Sequence, residues 1–255
     1  MCIRDRLKAA VCADAKMALD WMLEHADPGS AERRTAWTAR ARQIVAEWHD
    51  RYRPLLESDA VPIRPERICH ELSRHLPEDG IVMADTGHSG MWMGGMYDLR
   101  SPAQSYIRSA GHLGWAFPAG LGAKCAAPDR PVFVFTGDAG FWYHLTEIET
   151  AVRCGINTVT LVNNNSSGNQ GSPGFDRAYG GQQSEQGREL WTYNDVNFAT
   201  IAEAMGALGL RVENPADIPG ALETAFAADR PAVIDVVSDI EAQAPLAVVG
   251  GPSTP

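Results

Sequence analysis

At 255 residues, with 45% apolar residues and a formal net charge of -10, the chain is long enough for one large α/β domain plus additional pieces. The acidic balance argues against nucleic acid or an anionic membrane as its main partner. The sequence shows no apolar run of transmembrane length and no signal-peptide pattern. Five cysteines, Cys2, Cys12, Cys69, Cys125 and Cys154, form no CxxC pair, and such a scattered odd set suits reduced thiols and a cytoplasmic location.

In chain order, residues 1–6 (MCIRDR) do not read as a domain start and look like a translated adapter, so they are taken as a non-native leader. Residues 7–25 place Val11, Met17, Leu19, Met22 and Leu23 at helical spacing. Asp27-Pro28-Gly29-Ser30 breaks that pattern. Residues 31–56 predict an amphipathic helix with Trp37, Ile44, Val45 and Trp48, its arginines forming a solvated face. A short extended piece with two prolines follows at 61–65, then a helix over 65–75 with Ile68 and Leu72 inward. Ile81 to Ala84 predicts a buried strand, and Asp85-Thr86-Gly87-His88-Ser89-Gly90 leaves its carboxyl end. Met91, Trp92, Met93 and Met96 read as core and interface packing. Residues 109–121, SAGHLGWAFPAGL, are rich in small residues that let backbone approach a ligand, and a helix follows over 118–126.

The chain is organised around residues 131–169. Val132 to Phe135 predicts a buried strand; Thr136-Gly137-Asp138-Ala139-Gly140 turns; Phe141, Leu145, Ile148 and Val152 predict one helix over 141–153, closed by Gly155. Residues 158–162 predict a second strand ending in Asn163-Asn164-Asn165. This is a βαβ unit with parallel strands and a right-handed crossover. Asp138 and Asn165 then leave the carboxyl ends of two strands, the edge where open α/β sheets bind ligands. A carboxylate, an amide and backbone carbonyls are hard oxygen ligands suited to Mg²⁺ or Ca²⁺. Backbone N–H groups after Asp138 offer a place for a diphosphate. An ordinary βαβ core with turn residues at its strand ends would read the same way from Gly-Asp alone.

After Asn165 the chain becomes polar and glycine-rich through residue 190, too long for an ordinary connection, and reads as a lid or a disordered segment. Asn197 is expected to cap a helix carrying Phe198, Ile201, Ala204 and Met205. A strand over 209–212, a helix over 215–228 and a last strand over 231–237 complete the pattern. Asp235, inside that apolar run, is expected at a strand end or paired.

GDAGF, then TEIETAV, then NNN together resemble the thiamine diphosphate signature of Gly-Asp-Gly, a helix and an Asn-Asn pair. Over roughly residues 61–245 the chain resembles the cofactor-binding C-terminal domain of the acetolactate synthase-like family. The resemblance implies a doubly wound parallel sheet with helices on both faces, the thiamine diphosphate-binding fold. It implies that Mg²⁺ is held by the side chains of Asp138 and Asn165 and the carbonyl of Ser167. Gly137, Ala139, Gly140 and Gly168 would lie along the cofactor; Ala139 stands where the family usually has glycine. Gly87, His88 and Ser89 match a Gly-polar-polar motif that contacts the diphosphate, although the family pair is more commonly Gln-His. Gly111 matches the residue whose carbonyl accepts from the aminopyrimidine. Leu113 matches the apolar residue that props the cofactor into its bent shape, and His112 between them either faces substrate or is structural.

The same resemblance makes residues 7–26 the tail of a truncated middle domain, 27–60 a helical linker, 61–245 the cofactor domain and 246–255 a flexible tail. It implies decarboxylation and carboligation of 2-oxo acids, with thiamine diphosphate and Mg²⁺ as cofactors and FAD possible in a longer protein. A homodimer or homotetramer with its site between subunits is expected. The family's glutamate that protonates the pyrimidine lies in an N-terminal domain and has no match here, so this chain alone is expected not to turn over. The resemblance weakens after Asn165. The family's Gly-Met-Val run is replaced by Gly168-Asn169-Gln170, the next tryptophan is Trp191, and Phe175, Arg177 and Tyr179 are expected lid contacts. A lyase acting on a 2-hydroxyacyl-CoA or oxalyl-CoA, and a non-catalytic binding module, remain the alternatives.

Overall fold

The computed structural model describes residues 10–27, 32, 34–181 and 183–244. The leader at residues 1–6 and the tail at 246–255 therefore lie outside the described residues. The chain divides into two units between Arg53 and Pro54. The first contains α1 (Ala15–Glu24), whose N-cap Asp14 accepts from the backbone N–H groups of Lys16 and Met17. It also contains most of α2 (Thr35–Leu56), along which Trp37, Ile44 and Val45 are exposed. α1 starts later than the sequence pattern suggests, residues 10–14 being non-helical.

The second unit is built on six parallel strands: β1 (Ile81–Ala84), β2 (Ser105–Arg108), β3 (Val132–Gly137), β4 (Val159–Asn164), β5 (Leu208–Val212) and β6 (Ala232–Val237). Their order is β2-β1-β3-β4-β6-β5. Strands buried on both faces must be largely apolar on both, which is why β3 opens with the unbroken run Val132 to Phe135. Ile81, Met83, Val132, Val134, Val162 and Val233 pack on one side with α5 (Ala116–Ala126), α6 (Asp138–Trp142), α7 (Glu147–Cys154) and α10 (Phe198–Ala204). The other side carries α3 (Pro65–His75), α4 (His88–Met96) and α11 (Ile218–Ala227), with Phe226 of α11 against Phe133 of β3. The doubly wound parallel sheet with helices on both faces is thus the observed fold. Among the described residues no helix is long and apolar enough to cross a membrane.

Three elements differ from the sequence pattern. β2 is an additional edge strand. The helix expected over 141–153 is two helices, α6 starting at Asp138 itself and α7 at Glu147, with a turn between them. The polar segment after Asn165 is organised: a 3₁₀ turn at Asn169–Gly171 leads into α8 (Ser172–Ala178) and α9 (Glu185–Glu189). Buried Trp191 gathers that segment, donating from Nε1 to Gln183 Oε1 at 2.7 Å with the Arg188 guanidinium 5.4 Å from its ring centroid. Asp235 sits in the middle of β6 and is paired, as described below.

Candidate functional site

Sheet order reverses at β1. The chain moves outward to β2, then returns across to β3. At such a switch point the loops beyond the two strands diverge and leave a crevice, which is where doubly wound folds bind ligands. A cavity of about 450 Å³ lies there. Gly87, His88, Ser89, Leu113, Gly137, Asp138, Ala139, Gly140, Asn165, Ser167 and Gly168 line it. Gly111 and His112 are exposed and are not among its lining residues. The sequence reading missed Thr86, Asn163, Asn169, Gln170, Gly171 and Tyr193, which also line it. Proximity to Asn165 could have flagged Asn163 and Asn169, but nothing local marks Tyr193.

The β1 side is shaped by Gly87, whose φ of +69° lets the chain turn straight into α4. A side chain there would meet Gln170 Oε1 at 2.9 Å, so the start of α4 and the 169–171 turn are closely apposed. His88 Nδ1 lies 2.8 Å from Asn169 Oδ1. Asn169 donates its amide N–H groups to the carbonyls of Ile240 and Ala242, which fixes its oxygen toward His88 and makes His88 Nδ1 the donor. Burial lowers the His88 pKa, with the Asn169 bond opposing, so the ring favours its neutral form.

Leu113 reaches the cavity through a loop pinned by Asp85. This fully buried carboxylate accepts from Gly114 N at 3.0 Å, Thr136 Oγ1 at 3.0 Å and Thr86 N at 2.8 Å. Burial raises its pKa and those hydrogen bonds oppose the rise. A side chain at Gly140 would sit 2.7 Å from Asp85 Oδ2, so glycine there lets α6 start against β1.

Asp138 opens α6 and is 2% exposed. Its Oδ1 accepts from Ala139 N at 2.6 Å and its Oδ2 from Ser167 N at 2.9 Å. Burial pushes its pKa up to about 7, against hydrogen bonds from Ala139, Ser167 and Ser166, and with Asp235 nearby adding to the rise. Among the described residues no lysine, arginine or histidine pairs with it. A carboxylate removed from water without a counter-charge favours an incoming cation.

The opposing loop presents oxygen atoms. Ser166 is the one non-glycine residue with positive φ among those described, at +52°. Its N–H donates to Asn164 Oδ1, and its carbonyl accepts from Tyr193 N at 2.7 Å. Gly168 N donates to the Trp191 carbonyl at 2.7 Å, so the bridge between Ser167 and Thr192 uses neither polar backbone group of Ser167 itself. Ser167 Oγ and Asn163 Oδ1 are buried with no hydrogen-bond partner. Orphaned buried polar atoms in a cavity wall call for a ligand or ordered solvent. Among the described residues no three His, Cys, Asp or Glu side chains cluster as a metal site. The donors are one carboxylate, amides, a hydroxyl and backbone carbonyls, an all-oxygen set that fits a hard divalent cation sharing its sphere with a ligand.

Residues 85–236 match the family model of the thiamine pyrophosphate enzyme C-terminal TPP binding domain. The chain is 29% identical over 196 residues to a probable acetolactate synthase large subunit of Methanococcus aeolicus, covering 73% of this chain and 31% of that protein. It is 32% identical over 186 residues to an acetolactate synthase large subunit of Mycobacterium tuberculosis, covering 72% and 33%. It is 28% identical over 263 residues to a sulfoacetaldehyde acetyltransferase of Castellaniella defragrans, covering 87% and 39%. The chain spans about a third of the length of the curated relatives it matches.

Proposed function

Because the chain belongs to the thiamine pyrophosphate enzymes, whose C-terminal cofactor-binding domain it carries, we propose that its switch-point cavity holds the diphosphate of thiamine diphosphate through Mg²⁺. On this reading the protein serves decarboxylation or carboligation of a 2-oxo acid. The observation that carries the reading is Asp138, buried, unpaired with any cation and facing an oxygen-rich loop. Asp138, Asn165 and the Ser167 carbonyl would hold the metal. Gly87, His88, Ser89, Gly137, Ala139, Gly140 and Gly168 would line the diphosphate, with Asn163 as a further polar neighbour. The chemistry the cofactor supplies when bound is an electron sink for the carbanion that loss of carbon dioxide leaves.

The chain's own residues bind, orient and exclude water. Asp85 and Thr136 fix the loop that carries Leu113 into the cavity. Asn169 orients His88 so that it donates from Nδ1, while burial favours the neutral ring. Gln170 and Tyr193 cover the start of α4 and the Gly168 backbone. Among the described residues no lysine or arginine lines the cavity, so nothing there favours the coenzyme A ester reading. A cytoplasmic dimer or tetramer that completes the site between subunits fits the family.

The reading is tested by calorimetric titration of thiamine diphosphate and of unphosphorylated thiamine, with Mg²⁺ and with chelator. The expected result is binding that needs both the diphosphate and the metal; equal binding of thiamine in chelator would overturn it. No glutamate of this chain matches the family's pyrimidine partner, so sustained release of carbon dioxide from pyruvate by this chain alone would overturn the division of labour proposed here.

A further inference from the structure

Several buried acids take no part in lining the cavity, Asp235 among them. Asp235 lies in the middle of β6 and is fully buried. Its Oδ2 accepts from Arg211 Nη1 at 2.8 Å and from Phe198 N at 3.0 Å. Its Oδ1 accepts from Asn164 Nδ2 at 2.9 Å. The second N–H of the Asn164 amide donates to the Val196 carbonyl at 2.9 Å. With both amide hydrogens committed, Asn164 Oδ1 is set to accept from Ser166 N at 3.2 Å.

That last bond falls on the residue at φ +52°. A left-handed conformation at a serine is costly and persists only where its surroundings over-determine it. Here Asn164 accepts from the Ser166 N–H, which also faces Asp138, and Tyr193 N donates to its carbonyl. The turn so produced aims Ser167 N at Asp138 Oδ2 and puts Asn165 and Ser167 in the cavity wall. A line of hydrogen bonds therefore runs from Asp235 through Asn164 and Ser166 to the loop opposite Asp138.

We propose that Asp235 is a positioning residue for the metal loop, fixing the Asn164 amide so that Ser166 is held in its left-handed turn and Asn165 and Ser167 face Asp138. The proposal rests on the reading of those three residues as the cation site. The role goes beyond a generic core ion pair because the two oxygens of Asp235 face different tasks. Oδ2 answers Arg211 and the start of α10, whereas Oδ1 answers Asn164 alone. An asparagine at 235 cannot serve both: its NH₂ must face either the Phe198 and Arg211 donors or the Asn164 donor. Turning the Asn164 amide to relieve that clash points its NH₂ at the Ser166 N–H. Arg211, by contrast, also meets Asp195 and Glu213 at the surface, so Arg211→Gln weakens the network without touching the Asn164 bond.

The test uses Asp235→Asn, Asn164→Ser, Arg211→Gln and Asp138→Ala, with two readouts. The first is amide hydrogen exchange at Ser166 and Ser167 in the metal-free chain, which needs no ligand. The second is Mn²⁺ affinity in the presence of thiamine diphosphate, with circular dichroism and Tm as fold controls. Asp235→Asn and Asn164→Ser are expected to speed exchange at the two serines by roughly fivefold or more, as loss of one hydrogen bond allows. They are also expected to weaken Mn²⁺ on the order of tenfold to a hundredfold, the range for outer partners of metal ligands. Arg211→Gln is expected to lower Tm while leaving both readouts near the parent values. Should Asp235→Asn fail to fold, Asn164→Ser carries the same two readouts. Unchanged exchange in the folded variants overturns the proposal, as does Arg211→Gln matching Asp235→Asn in both readouts. So does faster exchange with unchanged Mn²⁺ affinity while Asp138→Ala still abolishes binding. If Asp138→Ala binds Mn²⁺ as the parent does, the cation-site reading falls by itself, and the exchange result still decides whether Asp235 sets the loop.

Discussion

The end of β3 and the middle of β6 each hold a buried aspartate, and the two are treated in opposite ways. Asp235 is answered by a guanidinium, an amide and a helix-start N–H. Asp138 is answered by backbone N–H groups alone, at 2.6 and 2.9 Å. Burial raises the pKa of both, but at Asp235 the Asn164 bond and Arg211 charge oppose the rise. A paired buried charge is part of the architecture, and removing one partner strands the other. An unpaired buried carboxylate costs stability in the free chain and is retained where something positive is to be bound. The difference teaches where the fold stops and the site begins.

The largest effect that could break this comparison is on ligand binding. Asp138→Ala is expected to weaken Mn²⁺ bound with thiamine diphosphate by at least about a hundredfold, roughly 3 kcal/mol, read by calorimetry. On fold stability the order reverses. Asp235→Ala is expected to cost about 3 kcal/mol in urea unfolding, at the lower end for a broken buried pair because the Arg211 side chain is 19% exposed. Asp138→Asn is expected to cost the metal-free chain clearly less than Asp235→Ala does, since the acceptor lost to Ala139 N or Ser167 N is offset by removal of a charge that has no partner. A loss comparable to that of Asp235→Ala would end the distinction.

Proton linkage sharpens the contrast. The folded-state pKa of Asp138, about 7, lies above its ordinary value of 3.8. Between those limits the folded state binds more protons than the unfolded chain, so stability falls as pH rises. The metal-free chain, kept in chelator, is expected to lose stability from about pH 4 to pH 7 and then level off. Asp138→Asn should reduce that slope; Asp85 and Asp235, also raised by burial, contribute with the same sign. An unchanged slope in the variant would place the linkage elsewhere. The smallest expected effect is at Ser166. Glycine accepts its φ of +52° without strain but frees the unfolded chain, so Ser166→Gly should change stability by less than about 1 kcal/mol. Mn²⁺ affinity should fall severalfold as the loop loosens.

Much of this was legible in the residues. Pro65 as first helical residue and Ile68 and Leu72 on one face mark out α3, and the run Ile81–Ala84 gives β1. Asn197 caps α10 as expected, accepting from Thr200 N at 2.9 Å. Asp138 and Asn165 stood out because they follow strand ends in a βαβ unit, Ser167 came only from the family resemblance, and the structure brings all three to one cavity. β2 was not legible: Ser-Tyr-Ile-Arg at a half-exposed edge carries neither an apolar run nor alternation strong enough to read. The break between α6 and α7 was hidden because the turn at 143–146 keeps Phe141, Leu145 and Ile148 in helical phase. Tyr193 reaches the site through the bridge between Ser167 and Thr192, which only the folded chain reveals. Asp235 looked out of place in an apolar strand because its partners, Asn164, Phe198 and Arg211, come from three other places in the chain.

The most direct test of the central claim is an electron paramagnetic resonance titration of Mn²⁺ into the chain with and without thiamine diphosphate, beside Asp138→Ala. The expected result is one bound Mn²⁺ per chain that requires the diphosphate and disappears in the variant. Diphosphate-independent binding, equal binding by Asp138→Ala, or no binding by the parent chain would contradict it.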